Sequence, residues 1–122
     1  MKKVIFVTII LLLSLSLSMD CKADSSKKEL YELQERCGQK AEQVFKDKYA
    51  VPSGLRNYEN HYNSRLNKCF IHVYDAAAEY LLDVNQNEES MYIFRDGRCI
   101  IEGKFCKNLK EWDAFVKDKM EK

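Results

Sequence analysis

Between Leu30 and Phe45 the apolar positions Leu30, Leu33, Cys37, Ala41, Val44 and Phe45 recur every three or four residues, with charged residues between them. That spacing gathers them into one stripe of an amphipathic helix of about five turns. Ser26-Lys27-Lys28-Glu29 has capping-box spacing just before it. Lys46 and Lys48 suit the negative end of the helix, and Pro52 with Ser53-Gly54 marks the break. The same logic returns at the far end of the chain. Asn108-Leu109-Lys110-Glu111 reads as a second cap, and Leu109, Trp112, Phe115, Val116 and Met120 follow at helical spacing.

From Tyr58 to Phe94 the texture changes to aromatic and β-branched residues separated by turn residues. Cys69 to Tyr74 is the strongest strand, and Asn57 to Arg65 alternates before it, with Tyr58 and Tyr62 on one face. A tight turn at Leu66-Asn67 would join the two as a hairpin. Tyr58, Tyr62 and Leu66 also fit a helical period near four, so a helix competes there. Two further strands are expected at Glu79 to Val84 and Met91 to Arg95, with the polar stretch Asn85 to Ser90 between them. The alanines at 76–78 are an alternative start for a short helix, and Asp96-Gly97 is expected to end the sheet. The predicted fold class is α+β: an N-terminal amphipathic helix, about four antiparallel strands, a C-terminal helix and two disulfides. Two helices on one face of the sheet would bury both apolar stripes.

The first residues change the picture from a cytoplasmic to an exported chain. Lys2 and Lys3 precede the apolar run Val4 to Leu17, which is shorter than the roughly 20 residues a spanning helix needs. Small residues then offer cleavage after Ser18 or after Ala23, and cleavage after Ala23 leaves an even number of cysteines. The expected organisation is a signal peptide at 1–23 and a single α+β domain at 24–122, periplasmic or secreted. A lipoprotein retaining an acylated Cys21 is the rival, but Asp20 stands where lipid-modifying export favours a small residue. Without Lys2, Lys3, Lys22 and Asp20, the 20 basic and 19 acidic residues become 17 and 18, a net charge of −1. That balance gives no basic field for nucleic acid and no polybasic membrane patch.

Cys37, Cys69, Cys99 and Cys106 allow three pairings. Cys37 lies on the first helix's apolar stripe, and in the expected hairpin Cys69 shares a face with Tyr58, Tyr62, Ile71 and Val73. This favours Cys37–Cys69, pinning helix to sheet, with Cys99–Cys106 closing a small loop around Gly103. The absence of a C-x-x-C or a zinc-like spacing argues against redox or metal roles.

The chain has two histidines, His61 and His72. With the turn at Leu66-Asn67 they face each other across the hairpin, flanked by Glu59, Phe70 and Tyr74. Such a pair can hold a transition metal or act as a pH-responsive module through like-charge repulsion. Ordinary polar roles on a sheet face are the simpler expectation, with no metal or cofactor. Catalysis has little support: the cysteines are expected to be paired, and no G-x-S-x-G elbow or phosphate-cradling loop is present. If both helices cover the opposite face, Glu59, His61, Phe70, His72 and Tyr74 form an exposed aromatic and polar surface suited to binding. The expected function is therefore a non-enzymatic binding module using this outer hairpin face. Its partner would be another exported protein, an envelope component or a small ligand.

The run Glu59-Asn60-His61-Tyr62-Asn63-Ser64-Arg65-Leu66-Asn67-Lys68-Cys69-Phe70, with Cys37-x-x-x-Ala41 upstream, resembles E-N-H-Y-N-x-x-L-N-K-C-F segments of small exported bacterial proteins of unassigned function. The resemblance implies a Cys37–Cys69 pair and a bacterial, exported setting, and brings no activity with it.

Overall fold

The computed structural model describes residues 25–52 and 54–121, so the expected signal peptide lies outside the described residues. The chain divides into two compact units, 1–32 and 33–122. Of the first, residues 25–32 are described and are helical. Ser26, expected as a cap, is itself helical and preceded by a helical residue, so the helix does not start there.

The second unit opens with α1, helical over residues 33–44 and continued by a π-helical turn at Phe45–Tyr49. Six strands follow: β1 (Asn57–Asn63), β2 (Lys68–Tyr74), β3 (Ala78–Asp83), β4 (Glu88–Ile93), β5 (Arg98–Ile101) and β6 (Lys104–Phe105). They form one antiparallel meander in sequence order. Helix α2 (Leu109–Met120) closes the chain. Its cap is the expected one: Asn108 Oδ1 accepts the Glu111 amide at 3.1 Å, while Glu111 Oε2 accepts the Lys107 amide at 2.9 Å.

The α+β class and both cysteine pairs are as expected; the strand count and the layering are not. Asp96-Gly97 does not end the sheet. It lies in the turn between β4 and β5, where Gly97 takes φ +67°. The β1–β2 and β3–β4 turns likewise end in a left-handed residue, Asn67 and Asn87. Asparagine tolerates that conformation because its short amide can bond locally. Glu102 and Gly103 both have positive φ, as a two-residue turn of inverted type requires, and fold β6 back on β5. The alanines at 76–78 start no helix: Ala78 opens β3, and Asp75 holds the turn before it.

The two helices cover opposite faces of the sheet, not one. Ala41 and Tyr49 of α1 pack on Ile71, Val73 and Leu82. Trp112 of α2 packs on Phe70, Leu81, Tyr92 and Cys99. Alternate residues of β2 therefore feed two separate cores, as the pleat demands. Cys37 and Cys69 are disulfide-bonded, with Cα atoms 5.4 Å apart, and tie α1 to β2. Cys99 and Cys106 are bonded with Cα atoms 5.1 Å apart and tie β5 to the segment before α2. α1 also protects the free edge of β1, where Gln34 Oε1 accepts the Tyr62 amide at 2.8 Å. At its far end the buried Tyr49 hydroxyl donates to Glu89 on β4, and burial followed by this carboxylate pushes the phenol well above its ordinary range.

Among the described residues the buried cluster beneath α1 draws its strand members from β2 and β3, and the end of α1 reaches Glu89 of β4. Tyr58, Val73, Tyr80, Met91, Ile100 and Phe105 form one cross-strand row. Its last three members belong to neither buried cluster, and Phe105 is 83% exposed.

Asp75 gives the fold a readable acid dependence. Its Oδ1 accepts the amides of Ala77 and Ala78 at 2.7 and 2.9 Å, and its Oδ2 meets Arg56 Nε at 3.0 Å. Burial pushes the carboxyl upward, but the two amides and the guanidinium outweigh it and hold it below its ordinary range. A depressed folded-state value means that the stabilisation is complete above the unfolded value of about 4 and is lost as pH falls through the folded one. Asp75→Asn should cost roughly 1–2 kcal/mol at neutral pH and markedly less near pH 2. Urea unfolding at both pH values checks this; equal costs would contradict it.

Candidate functional site

The five residues expected to form an exposed outer surface do not form one. Four-residue turns shift the hairpin register, so His61 faces Phe70 and His72 faces Glu59. The shift is by two positions, which keeps both histidines on one face but makes them diagonal neighbours. That face is roofed by α2. Phe70 is only 4% exposed, Glu59 remains exposed, and His61, His72 and Tyr74 are half-buried. His72 Nε2 lies 3.1 Å from Glu79 Oε2, which also accepts the Trp112 indole N–H at 2.7 Å. His61 Nε2 is buried without a hydrogen-bond partner. Among the described residues no group of three or more histidine, cysteine or acidic side chains can hold a metal ion.

Where the same face reaches the β1–β2 and β3–β4 turns, the roof is incomplete and a cleft of about 90 Å³ opens between α2 and the sheet. Its floor is apolar: Phe70 and Leu81 are buried, and Leu66 and Phe115 are half-buried beside them. Its rim is charged and polar, with Lys68, Asp83, Glu88, Ser90, Glu102 and Lys119. Antiparallel pairing explains the assembly. Phe70 faces Asp83, and Asp83 faces Glu88, so three strands bring one row of side chains to the cleft. The last turn of α2 adds Lys119, and the β5–β6 turn adds Glu102.

Asp83 is the least exposed of the rim charges, at 4%. Its Oδ1 accepts the Asn85 and Gln86 amides at 3.0 and 3.3 Å, which fixes the β3–β4 turn. Its Oδ2 makes no hydrogen bond of good geometry and is held by the Lys68 ammonium 2.8 Å away. That carboxylate keeps the Lys68 ammonium above its ordinary range. Ser90 Oγ accepts the Glu102 amide at 2.9 Å, so its hydroxyl hydrogen stays available. Lys119 Nζ stands 3.9 Å from Glu102 and 5.4 Å from the Phe115 ring centroid. A cleft with an apolar floor and convergent groups of both signs can bind a small amphipathic molecule and fix its orientation.

Of these residues only Phe70 was in the expected surface. The remainder come from separate strands, turns and α2, and no local spacing joins them. No family model, no curated protein and no solved structure matches this chain. Among the described residues no helix is long and apolar enough to cross a membrane, and the two disulfides are compatible with an exported protein.

Proposed function

We propose that the chain is an exported, disulfide-stapled binding module, acting without catalysis, that takes a small ligand in the cleft at the turn end of the α2 face. The observation that carries this reading is the cleft itself, where an apolar floor of Phe70 and Leu81 lies beneath charges of both signs. Export is supported by the leader-like first 23 residues and by two cysteine pairs that an oxidising compartment would maintain. The site differs from the outer hairpin surface suggested by the sequence, because α2 covers most of that surface and leaves this end open.

The test is a fragment titration followed by amide resonances, using short aliphatic amines, acids, alcohols and amino acids at millimolar concentration. Saturable shifts should cluster at Lys68, Phe70, Asp83, Ser90 and Phe115. Shifts confined to Met91, Ile100 and Phe105 would move the binding surface to the opposite face of the sheet, and no saturable shift anywhere would end the small-ligand reading.

A further inference from the structure

We propose that the Cys99–Cys106 disulfide is a thiol-exchange site, attacked at Cys106 by an external dithiol, and that its reduction releases β6 while both cores stay folded. The two disulfides differ first in access. Cys37 and Cys69 are both buried in the seam between α1 and β2, so a thiolate reaches neither sulfur unless the helix lifts. Cys99 is also buried, within the α2 core, but Cys106 is half-buried and lines a surface depression with Lys104, Phe105 and Glu111. Exchange requires a thiolate to reach one sulfur of the bond, so this pair is the more reducible. Without Cys-x-x-Cys spacing it is the substrate of such an exchange and not its catalyst.

The bonds differ next in what they hold. β6 is two residues long, and its exposed Phe105 side chain adds little packing. Beyond the disulfide it is held by its pairing with Ile100 and Ile101 and by the Cys106 amide, which donates to the Cys99 carbonyl at 3.0 Å. So short a strand is marginal without its covalent tie. The chain on either side is anchored independently: Ser90 Oγ accepts the Glu102 amide at 2.9 Å, and α2 carries its own cap at Asn108. The released segment is therefore 103–106, and the outer edge of β5 (Arg98–Ile101) loses its partner strand. The exchange moves two electrons. One thiolate of the dithiol bonds to Cys106 Sγ, and the Cys99 sulfur leaves with the electron pair and takes a proton. The second thiolate attacks the dithiol's own bonded sulfur, which closes the dithiol's disulfide and expels Cys106 as a thiolate that is protonated in turn.

The experiment treats the full oxidised protein with dithiothreitol in the absence of denaturant, quenches by alkylation at intervals and maps the alkylated cysteines by mass. Cys99 and Cys106 should become alkylated at least about tenfold faster than Cys37 and Cys69, so that a singly reduced protein accumulates. In that species the amide resonances of 103–106 should move to unstructured positions, while those of Ile71, Val73 and Leu82 keep theirs. Cys99→Ala and Cys106→Ala locate the attack: with an aromatic disulfide reagent, the lone Cys106 thiol should react at least about tenfold faster than the lone Cys99 thiol. Reduction of both bonds together, or of Cys37–Cys69 first, overturns the exchange site. Unmoved resonances at 103–106 in the singly reduced protein overturn the release of β6. A Cys99 thiol that reacts as fast as Cys106 overturns the point of attack.

Discussion

Replacing Cys37 and Cys69 together by alanine is expected to lower the stability of this chain by about 4 kcal/mol and its melting temperature by on the order of 20 °C. The bond closes a loop across a separation of 32 residues, and both cysteines are nearly inaccessible, at 3% and 4% exposure. In the chain-entropy model the unfolded chain regains the freedom of that whole loop, which is most of the effect. A native-state loss adds to it. α1 packs on the sheet through Ala41, Val44, Phe45 and Tyr49, and the bond also fixes where the helix sits. The Cys99–Cys106 pair spans a separation of seven and should cost less when removed, roughly 2–3 kcal/mol. Thermal unfolding of the oxidised protein, the reduced protein and each double variant checks the ranking. Reduced and oxidised protein melting together would show that the covalent ties add nothing.

The helices were legible because helical spacing is a local property: Leu33, Cys37, Ala41 and Val44 announce a stripe without reference to anything distant. Their placement was not, since a stripe says that a face is buried and not which surface buries it. The signal for two covered faces was nevertheless present in β2. Cys69, Phe70 and Ile71 are consecutive and all buried, as are Leu81 and Leu82 in β3. Consecutive apolar residues mark a strand covered on both sides, whereas a one-sided strand alternates. Reading β2 by alternation alone left Phe70 outside, and the exposed-surface expectation followed from that.

Register failed in an instructive way. A two-residue turn at Leu66-Asn67 would pair His61 with His72, but Asn63 Oδ1 accepts the Leu66 amide at 3.1 Å and the turn widens to Ser64–Asn67. The resulting slip is even, so every side chain keeps its face and only its partners change. Cys69 therefore still points at Cys37, and the disulfide expectation survives the error while the histidine pair does not. The last two strands were hidden by brevity, since Lys104–Phe105 is two residues long and is defined by pairing and not by composition. The cleft was illegible for a related reason: Lys68 and Lys119 are 51 positions apart, and only the crossing of α2 over the turn end brings them together.

That crossing makes Trp112 the residue whose truncation should reach furthest after the disulfide. Its side chain is fully buried at the centre of the α2 core, with ring centroids 6.3 Å from Tyr92 and 6.0 Å from Phe115. Trp112→Ala should cost about 3–5 kcal/mol, because the transfer energy of the indole is lost and the surrounding strands cannot close the void. Trp112→Phe separates packing from hydrogen bonding. It keeps most of the carbon surface but leaves Glu79 Oε2 with His72 alone, for a cost of roughly 1–3 kcal/mol. A second readout follows from geometry, since Phe115 and Lys119 lie one and two turns farther along the same helix and wall the cleft. Trp112→Ala should therefore weaken fragment binding in the cleft at temperatures where the protein remains folded, whereas Asp75→Asn should not. Denaturant unfolding paired with the fragment titration of each variant tests both statements. A Trp112→Ala protein that loses stability yet binds the cleft fragments as the parent does would show that the cleft does not depend on the seating of α2.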